Sequence, residues 1–248
     1  MDEIEIVVAH RERTTMRVGE TFLKVDGEAG RVEREAQVIG LAPVPTPAVL
    51  WQKPHVLALT AVPGTPLGTL GGTASTSPAA WAATGAAIRR LHDAPPPPWT
   101  GPALDEVREE LDRECAWLLE NQALPAEIVH RNREIAEAAL RPWAPRFVHG
   151  DLQIAHVFVE DDAVTGIIDW SEGAAGDAQS DLATLTLGHE ERLEDLLAGY
   201  GEGADREIIR GWWSLRSLTV ARWLLEHGFD PDAPGCEFDV LRARMRED

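Results

Sequence analysis

Short alternating segments rich in β-branched residues dominate the first quarter of the chain. Glu3 to Ala9 (EIEIVVA), Thr14 to Val18 and Thr21 to Val25 each fit a strand, and Gly19-Glu20 between the last two fits a hairpin turn. A helical spacing of apolar positions then runs from Arg31 to Leu41 and stops at APVPTP, where proline removes the donors a helix needs. Val49 to Lys53 and Val56 to Val62 read as two further strands. Residues 1–62 are therefore expected to form a small antiparallel sheet carrying one inserted helix.

After Pro63-Gly64 the texture changes to small and polar residues (GTPLGTLGGTASTSP), which places a hinge near residue 63. Residues 63–248 are mainly helical in pattern. Ala79 to His92 stops before four prolines at 95 to 98, a stiff extended connector. Leu104 to Asn121 sets Leu104, Val107, Leu111, Cys115 and Leu118 on one face, and Ala126 to Leu140 is a further helix. Two strand-like pieces, Val157 to Val159 and Gly166 to Ile168, precede helices at Leu182 to Leu187, Leu193 to Tyr200, Arg206 to His227 and near the C-terminus. The class is α+β. Trp212, Trp213 and Trp223 share one predicted helix, where core packing is the common use of such residues and an aromatic ligand wall the rarer one.

With 248 residues, 44% of them hydrophobic, the chain can bury a substantial core. No run of about 18 apolar residues occurs and the first residues lack the pattern of a secretory leader, so a soluble cytoplasmic protein is expected. A formal charge of −19 opposes nucleic acid and anionic membranes as partners. It suits a cationic small molecule, or is no more than a soluble acidic surface. Cys115 and Cys236 lie far apart, which fits reduced structural cysteines. Only Lys24 and Lys53 stand against 21 arginines, so a lysine within a strand is conspicuous.

The segment FVHGDLQIAHVFV, residues 147 to 159, sets polar chemistry between two apolar stretches. Eighteen residues after Asp151, the run Gly166-Ile-Ile-Asp-Trp170 ends an apolar strand on Asp169. If the two segments pair as a hairpin, two carboxylates and a histidine converge at one sheet edge, an arrangement tolerated where a cation or substrate compensates the charge. Phosphoryl transfer asks for such a set: a carboxylate that orients the attacking hydroxyl, a second that holds magnesium, and a lysine that neutralises phosphate. Asp151, Asp169 and Lys24 can fill these places, with Glu33 or Glu35 on the next helix to anchor the lysine.

His149-Gly150-Asp151, a ligand-type residue at position 156, Ile168-Asp169-Trp170, Gly176-Asp177 and Asp181-Leu182-Ala183 together resemble the aminoglycoside phosphotransferase family of protein-kinase-like small-molecule kinases. The likeness extends through FLKV at the lysine strand, Arg34-Glu35 and PVPTP, VPGTPL at the hinge, and IRRLH in the first large-lobe helix. It implies a bilobal fold, a nucleotide-binding lobe over 1–62 and a catalytic lobe over 63–248, with the nucleotide in the cleft between. Asp151 then matches the catalytic aspartate, Asp169 the metal-binding aspartate, Lys24 the phosphate lysine and Glu35 its partner. Position 156 is usually asparagine in the family; His156 is a softer metal donor, or else a buried histidine that holds the loop together. Macrolide phosphotransferases share such a histidine and an IDWSEA-like stretch, to which Ile168 to Gly173 (IDWSEG) is similar.

The loop AHRERTT lacks the glycines of a phosphate-covering loop, so either it is a short variant or Arg11 or Arg13 is expected on phosphate. His149 is expected to support the catalytic loop and Asp181 to pin it, while Glu172 and Asp177 are candidates for substrate contact. The resemblance implies an enzyme that uses ATP or GTP with Mg2+ to phosphorylate a hydroxyl of a small molecule, foremost an amine-bearing antibiotic of the aminoglycoside or macrolide type, hence a resistance enzyme. A metabolite kinase for choline, homoserine or a sugar, and a non-catalytic kinase-like binding module, are the alternatives.

Overall fold

The computed structural model describes residues 4–9, 13–69, 71, 72, 74, 76–233 and 237–246. Glu3, Arg11 and Cys236 lie outside them. Strands β1 (Ile4–Ala9), β2 (Arg13–Val18) and β3 (Thr21–Asp26) precede helix α1 (Ala29–Leu41), and β4 (Val49–Lys53) and β5 (Val56–Thr60) follow it. The five strands form one antiparallel sheet in the order β1-β2-β3-β5-β4. Gly19, at φ 59°, makes the β2–β3 turn, as its place between two strand-like runs predicts. The fifth strand ends at Thr60, two residues short of the expected Val62. Pro63 has no amide to donate and Gly64, at φ 87°, turns the chain away.

Next in order are β6 (Thr65–Pro66), α2 (Pro78–Asp93), α3 (Leu104–Glu120), α4 (Ala126–Ala136), β7 (Arg146–Val148), β8 (Val157–Glu160), β9 (Ala163–Ile167) and β10 (Ala174–Gly176). Helices α5 (Ala178–Thr186), α6 (Leu193–Tyr200), α7 (Arg206–Glu226) and α8 (Glu237–Ala243) complete the chain. The β8–β9 hairpin is present as the apolar pieces predict, with Val157 opposite Ile167, and β6 lies on its outer edge. β7 and β10 pair with each other; at three residues each they are too short to show a period of two. α4 stops four residues before the expected Leu140. From Glu137 to Leu140 each amide bonds three residues back instead of four, and the backbone of α7 approaches so closely at Gly211 that a Cβ there would lie 2.8 Å from the Ala139 nitrogen. Among the described residues no helix is long and apolar enough to cross a membrane.

Two clusters make the core. One joins Val32, Val38, Leu57 and Leu59 of the sheet and α1 to Trp81, Ile88, Phe147, Ile154 and Trp170 beneath. The other packs α3, α4, α7 and α8 around Leu111, Leu118, Leu218 and Phe238. Cys115 is buried in that second cluster, where burial raises its thiol to about 11, so it stays protonated. α2 and α6 cross at two glycines: a Cβ at Gly85 would sit 2.0 Å from the Leu196 carbonyl oxygen, and one at Gly199 would sit 1.7 Å from that of Ala82.

The loop after β7 is held from below by α5. Asp181 accepts the amides of His149 at 2.7 Å and Gly150 at 3.0 Å, and His92 of α2 meets the same carboxylate at 3.1 Å while its other ring nitrogen meets the Tyr200 hydroxyl of α6. Gly150 adopts φ 85°, and a Cβ there would meet the Glu172 carbonyl oxygen at 2.4 Å, so only glycine fits. Asp181 thus pins the loop, as the family resemblance implies.

Gly85→Ala should force α2 and α6 apart at a cost of about 2 to 3 kcal/mol, read as a lower urea midpoint. Burial alone would raise the Asp181 carboxyl, but its hydrogen bond and charge contact with His92, together with His149, hold it below the ordinary range. A depressed folded-state value contributes stability above about pH 4 and loses it as pH falls through the folded value. Asp181→Asn has one oxygen for three donors and must turn an NH2 toward one of them. It should lower neutral-pH stability by about 2 to 3 kcal/mol and flatten the fall in stability below about pH 4, measured by urea titration at stepped pH.

Candidate active site

Lys24 stands on β3 opposite Thr15 and Leu57, on the face of the sheet that α1 covers. Its Nζ donates to Glu35 Oε1 at 2.5 Å and to Asp169 Oδ1 at 2.7 Å. Glu35 is the anchor and not Glu33, because it falls on the buried face of α1 with Val32, Val38 and Ile39. Glu33 faces outward and accepts from Gln37. Burial would favour loss of the lysine proton, yet Glu35 and Asp169 outweigh it and raise Lys24 above its ordinary value.

Asp169 follows β9 at φ 65°, a left-handed conformation unusual for a residue with a side chain. The strained turn aims the carboxylate back beneath the sheet. Oδ1 takes Lys24, with Arg13 Nη1 at 3.6 Å, and Oδ2 faces His156 Nε2 at 3.8 Å. Burial would raise this carboxyl; Lys24, His156 and Arg13 more than cancel that and hold it far below the usual range. Arg13 also donates to Asp26 at 3.2 Å and to the Ser171 hydroxyl at 3.4 Å, tying β2 to the turn after Asp169.

His156 closes a single 3-10 turn (Ile154–His156) and joins the two aspartates. Its Nδ1 donates to the Asp151 carbonyl oxygen at 2.8 Å, and its Nε2 lies toward the Asp169 carboxylate. An imidazole oriented by a carbonyl on one nitrogen can offer the other to a metal ion. Among the described residues no group of three or more His, Cys, Asp or Glu side chains is placed to hold a metal. Asp169 and His156 could supply two ligands to a cation whose other ligands are phosphate and water oxygens.

His149 is fully buried against Trp170, donates from Nε2 to the Ile168 carbonyl at 2.9 Å, and accepts the Asp151 amide on Nδ1 at 3.3 Å. Burial lowers its pKa despite Asp181, so the ring stays neutral and both nitrogens are spent on the loop. It is a support and not a proton carrier.

Asp151 is about a quarter exposed. Arg216 Nη2, from α7, donates to Oδ1 at 2.6 Å, and Gln153 Nε2 lies 3.0 Å from each oxygen. Burial would raise the carboxyl, but Arg216 first, then His156 and Gln153, bring it below its ordinary value. Arg216 was not visible in the sequence, where nothing in the spacing sets it apart from the other arginines.

Glu172 is exposed beside this loop, with its carbonyl packed over Gly150. Asp177 is placed differently: it is buried, caps α5 through Gln179, and gives its second oxygen to Trp212 Nε1 at 2.8 Å and Arg141 at 3.5 Å. A carboxylate so engaged is not open to a substrate. Of the three tryptophans expected on α7, Trp213 is core, Trp212 makes this bond, and Trp223 is exposed.

The same architecture occurs in known structures. Macrolide 2'-phosphotransferase MphH from Brachybacterium faecium is 17% identical, with a TM-score of 0.68 over 99% of this chain and 92% of that one. A choline/ethanolamine kinase family protein from Mesorhizobium loti is 21% identical, with a TM-score of 0.70 over 99% and 88%. Aminoglycoside phosphotransferase APH(3'')-Id from Streptomyces rimosus is 26% identical, with a TM-score of 0.65 over 86% and 91%. The α+β, two-lobed, protein-kinase-like fold is therefore the one that the motifs imply. The sequence model of the phosphotransferase enzyme family (APH) matches residues 12–218, most of the chain, and the chain belongs to that family.

Proposed function

We propose that the protein is an O-phosphotransferase that moves the terminal phosphoryl group of ATP or GTP, with Mg2+, to a hydroxyl of a small molecule. The observation that carries the reading is the bridge made by His156, whose two ring nitrogens address the Asp151 backbone and the Asp169 carboxylate. Residues 1–62 then act as the nucleotide lobe and 63–248 as the catalytic lobe. Lys24, fixed by Glu35, neutralises phosphate charge, and Arg13 adds a second cation. Asp169 and His156 would hold Mg2+, which supplies charge neutralisation at the phosphates when bound. Asp151 has one oxygen tied to Arg216 and orients the acceptor hydroxyl with the other, taking its proton as the new O–P bond forms and the bond from phosphorus to the nucleoside diphosphate breaks.

Antibiotics of the aminoglycoside or macrolide type are the leading acceptors, with resistance as the role and the cytoplasm, where the nucleotide is, as the place. Glu172 is the carboxylate left open to an amine of such an acceptor, and the acidic molecule as a whole favours a cation. The choline/ethanolamine kinase family neighbour favours a second reading, a metabolite kinase acting at the same site.

A coupled assay for ADP or GDP release over aminoglycosides, macrolides, choline, homoserine and sugars tests both readings. Asp151→Asn should lower transfer roughly a thousandfold while nucleotide affinity is unchanged. Retention of near-full transfer by that variant would remove Asp151 from its assigned role. Asp169→Asn should abolish the Mg2+ dependence of nucleotide binding in calorimetry. His156→Asn, which restores a hard oxygen donor, should favour Mg2+ over Mn2+ more strongly than the parent does.

A further inference from the structure

We propose that Arg216 is a positioning residue for the acceptor: from α7 it holds one oxygen of the Asp151 carboxylate so that the other is presented to the hydroxyl that is phosphorylated. The proposal rests on the phosphotransferase reading above and adds to it a residue 65 positions beyond the motif that carries Asp151.

Three observations support it. The contact is short and charge-assisted, Nη2 to Oδ1 at 2.6 Å, and both side chains are partly exposed, at 21% and 27%, so the pair lies at an accessible surface and not in a sealed core. Its place on α7 is rigid. Leu215, Ser217 and Leu218 on either side are buried, Ser214 donates to the buried Asn132, and Thr219 closes back on the Arg216 carbonyl, so the guanidinium is delivered by a helix locked in the second core cluster. Finally, the two carboxylate oxygens are not equivalent. Gln153 lies 3.0 Å from each, but the Arg216 contact falls on Oδ1, which leaves Oδ2 as the better acceptor for an incoming hydroxyl.

A carboxylate on a short loop can turn about its own side-chain bonds, and a hydroxyl must meet it in one orientation for in-line attack. Fixing that rotamer before the acceptor arrives converts a search into a preset geometry, and misplacement by about 1 Å costs on the order of a hundredfold in rate. A guanidinium suits the task better than an ammonium, because its planar fork loses less conformational freedom for each bond made. Among the described residues the buried Arg216 Nε has no hydrogen-bond partner, so no competing acceptor orients the fork on that side. Arg216 touches neither Lys24 nor Asp169 in the ion pairs of the nucleotide side, and its effect should fall on the acceptor step alone.

The experiment compares the full-length parent with Arg216→Ala, Arg216→Gln, Arg216→Lys, Asp151→Asn and the double variant Arg216→Ala/Asp151→Asn, using the acceptor that the panel identifies. Expected are a fall in kcat of roughly 10- to 100-fold for the Ala and Gln variants, nucleotide KM within about twofold of the parent, and partial recovery in the Lys variant. Added guanidinium ion should raise kcat of Arg216→Ala severalfold and saturably, and leave Asp151→Asn unmoved. In the double variant, loss of Arg216 should add nothing to the loss of Asp151. A residue that only stabilises the fold would lower the unfolding midpoint and show neither guanidinium rescue nor this masking. If the parent transfers phosphate but Arg216→Gln keeps full kcat, the positioning role is overturned and the phosphotransferase reading stands. If the parent transfers phosphate to nothing in the panel, that reading falls and the proposal falls with it. Should the Ala variant fail to fold, the Gln and Lys variants carry the same comparison.

Discussion

A lysine held almost out of water between two carboxylates is the constraint on which the rest of this structure depends. Moving an ammonium away from solvent costs several kcal/mol unless opposite charge meets it at hydrogen-bond distance. Lys24 meets that condition twice, with Glu35 from α1 and Asp169 from the turn after β9. Three segments must therefore arrive at one point: β3 and α1, which are close in the chain, and the turn after β9, 145 residues beyond Lys24. The hydrophobic cluster that runs from Val38 and Leu57 to Trp170 and Phe147 brings the segments near each other. Area burial is non-directional, and it is the lysine that sets their final register.

The turns that deliver the polar groups are backbone positions few residues accept. Gly150 needs a left-handed φ and has the Glu172 carbonyl where a Cβ would be, and Asp169 takes a left-handed φ despite its side chain. Such conformations persist when their surroundings over-determine them. Here that role falls to buried groups: Asp181 with its two loop amides, His92 and Tyr200 behind it, and His149 spanning from Asp151 to Ile168. The buried polar residues of the loop are thus a frame, and the partly exposed ones, Asp151 and Asp169, are what the frame presents.

Much of the fold was legible because its elements are periodic or punctuated. The β-branched runs around Gly19-Glu20, the helix ended by APVPTP, and the long helices α3 and α7 all fall within a few residues of their predicted bounds. What escaped was short or made by distant contact. β7 and β10 have three residues each, and the early end of α4 is imposed by the close pass of α7 at Gly211. The site divides in the same way. Lys24, Glu35, Asp151, His156 and Asp169 carry local signals in strand, helix face or motif. Asp177 carries the same kind of signal, yet its oxygens cap α5 and bind Trp212, since a carboxylate one residue before a helix serves the helix amides first. Arg216 carries none, because its meaning depends on a contact 65 residues away.

The net charge of −19 is a poor guide to this site. At the site, Lys24, Arg13 and Arg216 stand against Glu35, Asp169 and Asp151, three cations facing three carboxylates at contact distance. Charges on the outer surface are screened beyond about 8 to 10 Å at physiological ionic strength, so the acidic exterior acts on the approach of a ligand and little on its final placement. Lys24 takes one oxygen of Asp169 and Arg216 one of Asp151, and the second oxygen of each meets only a weaker neighbour, His156 at 3.8 Å and Gln153 at 3.0 Å.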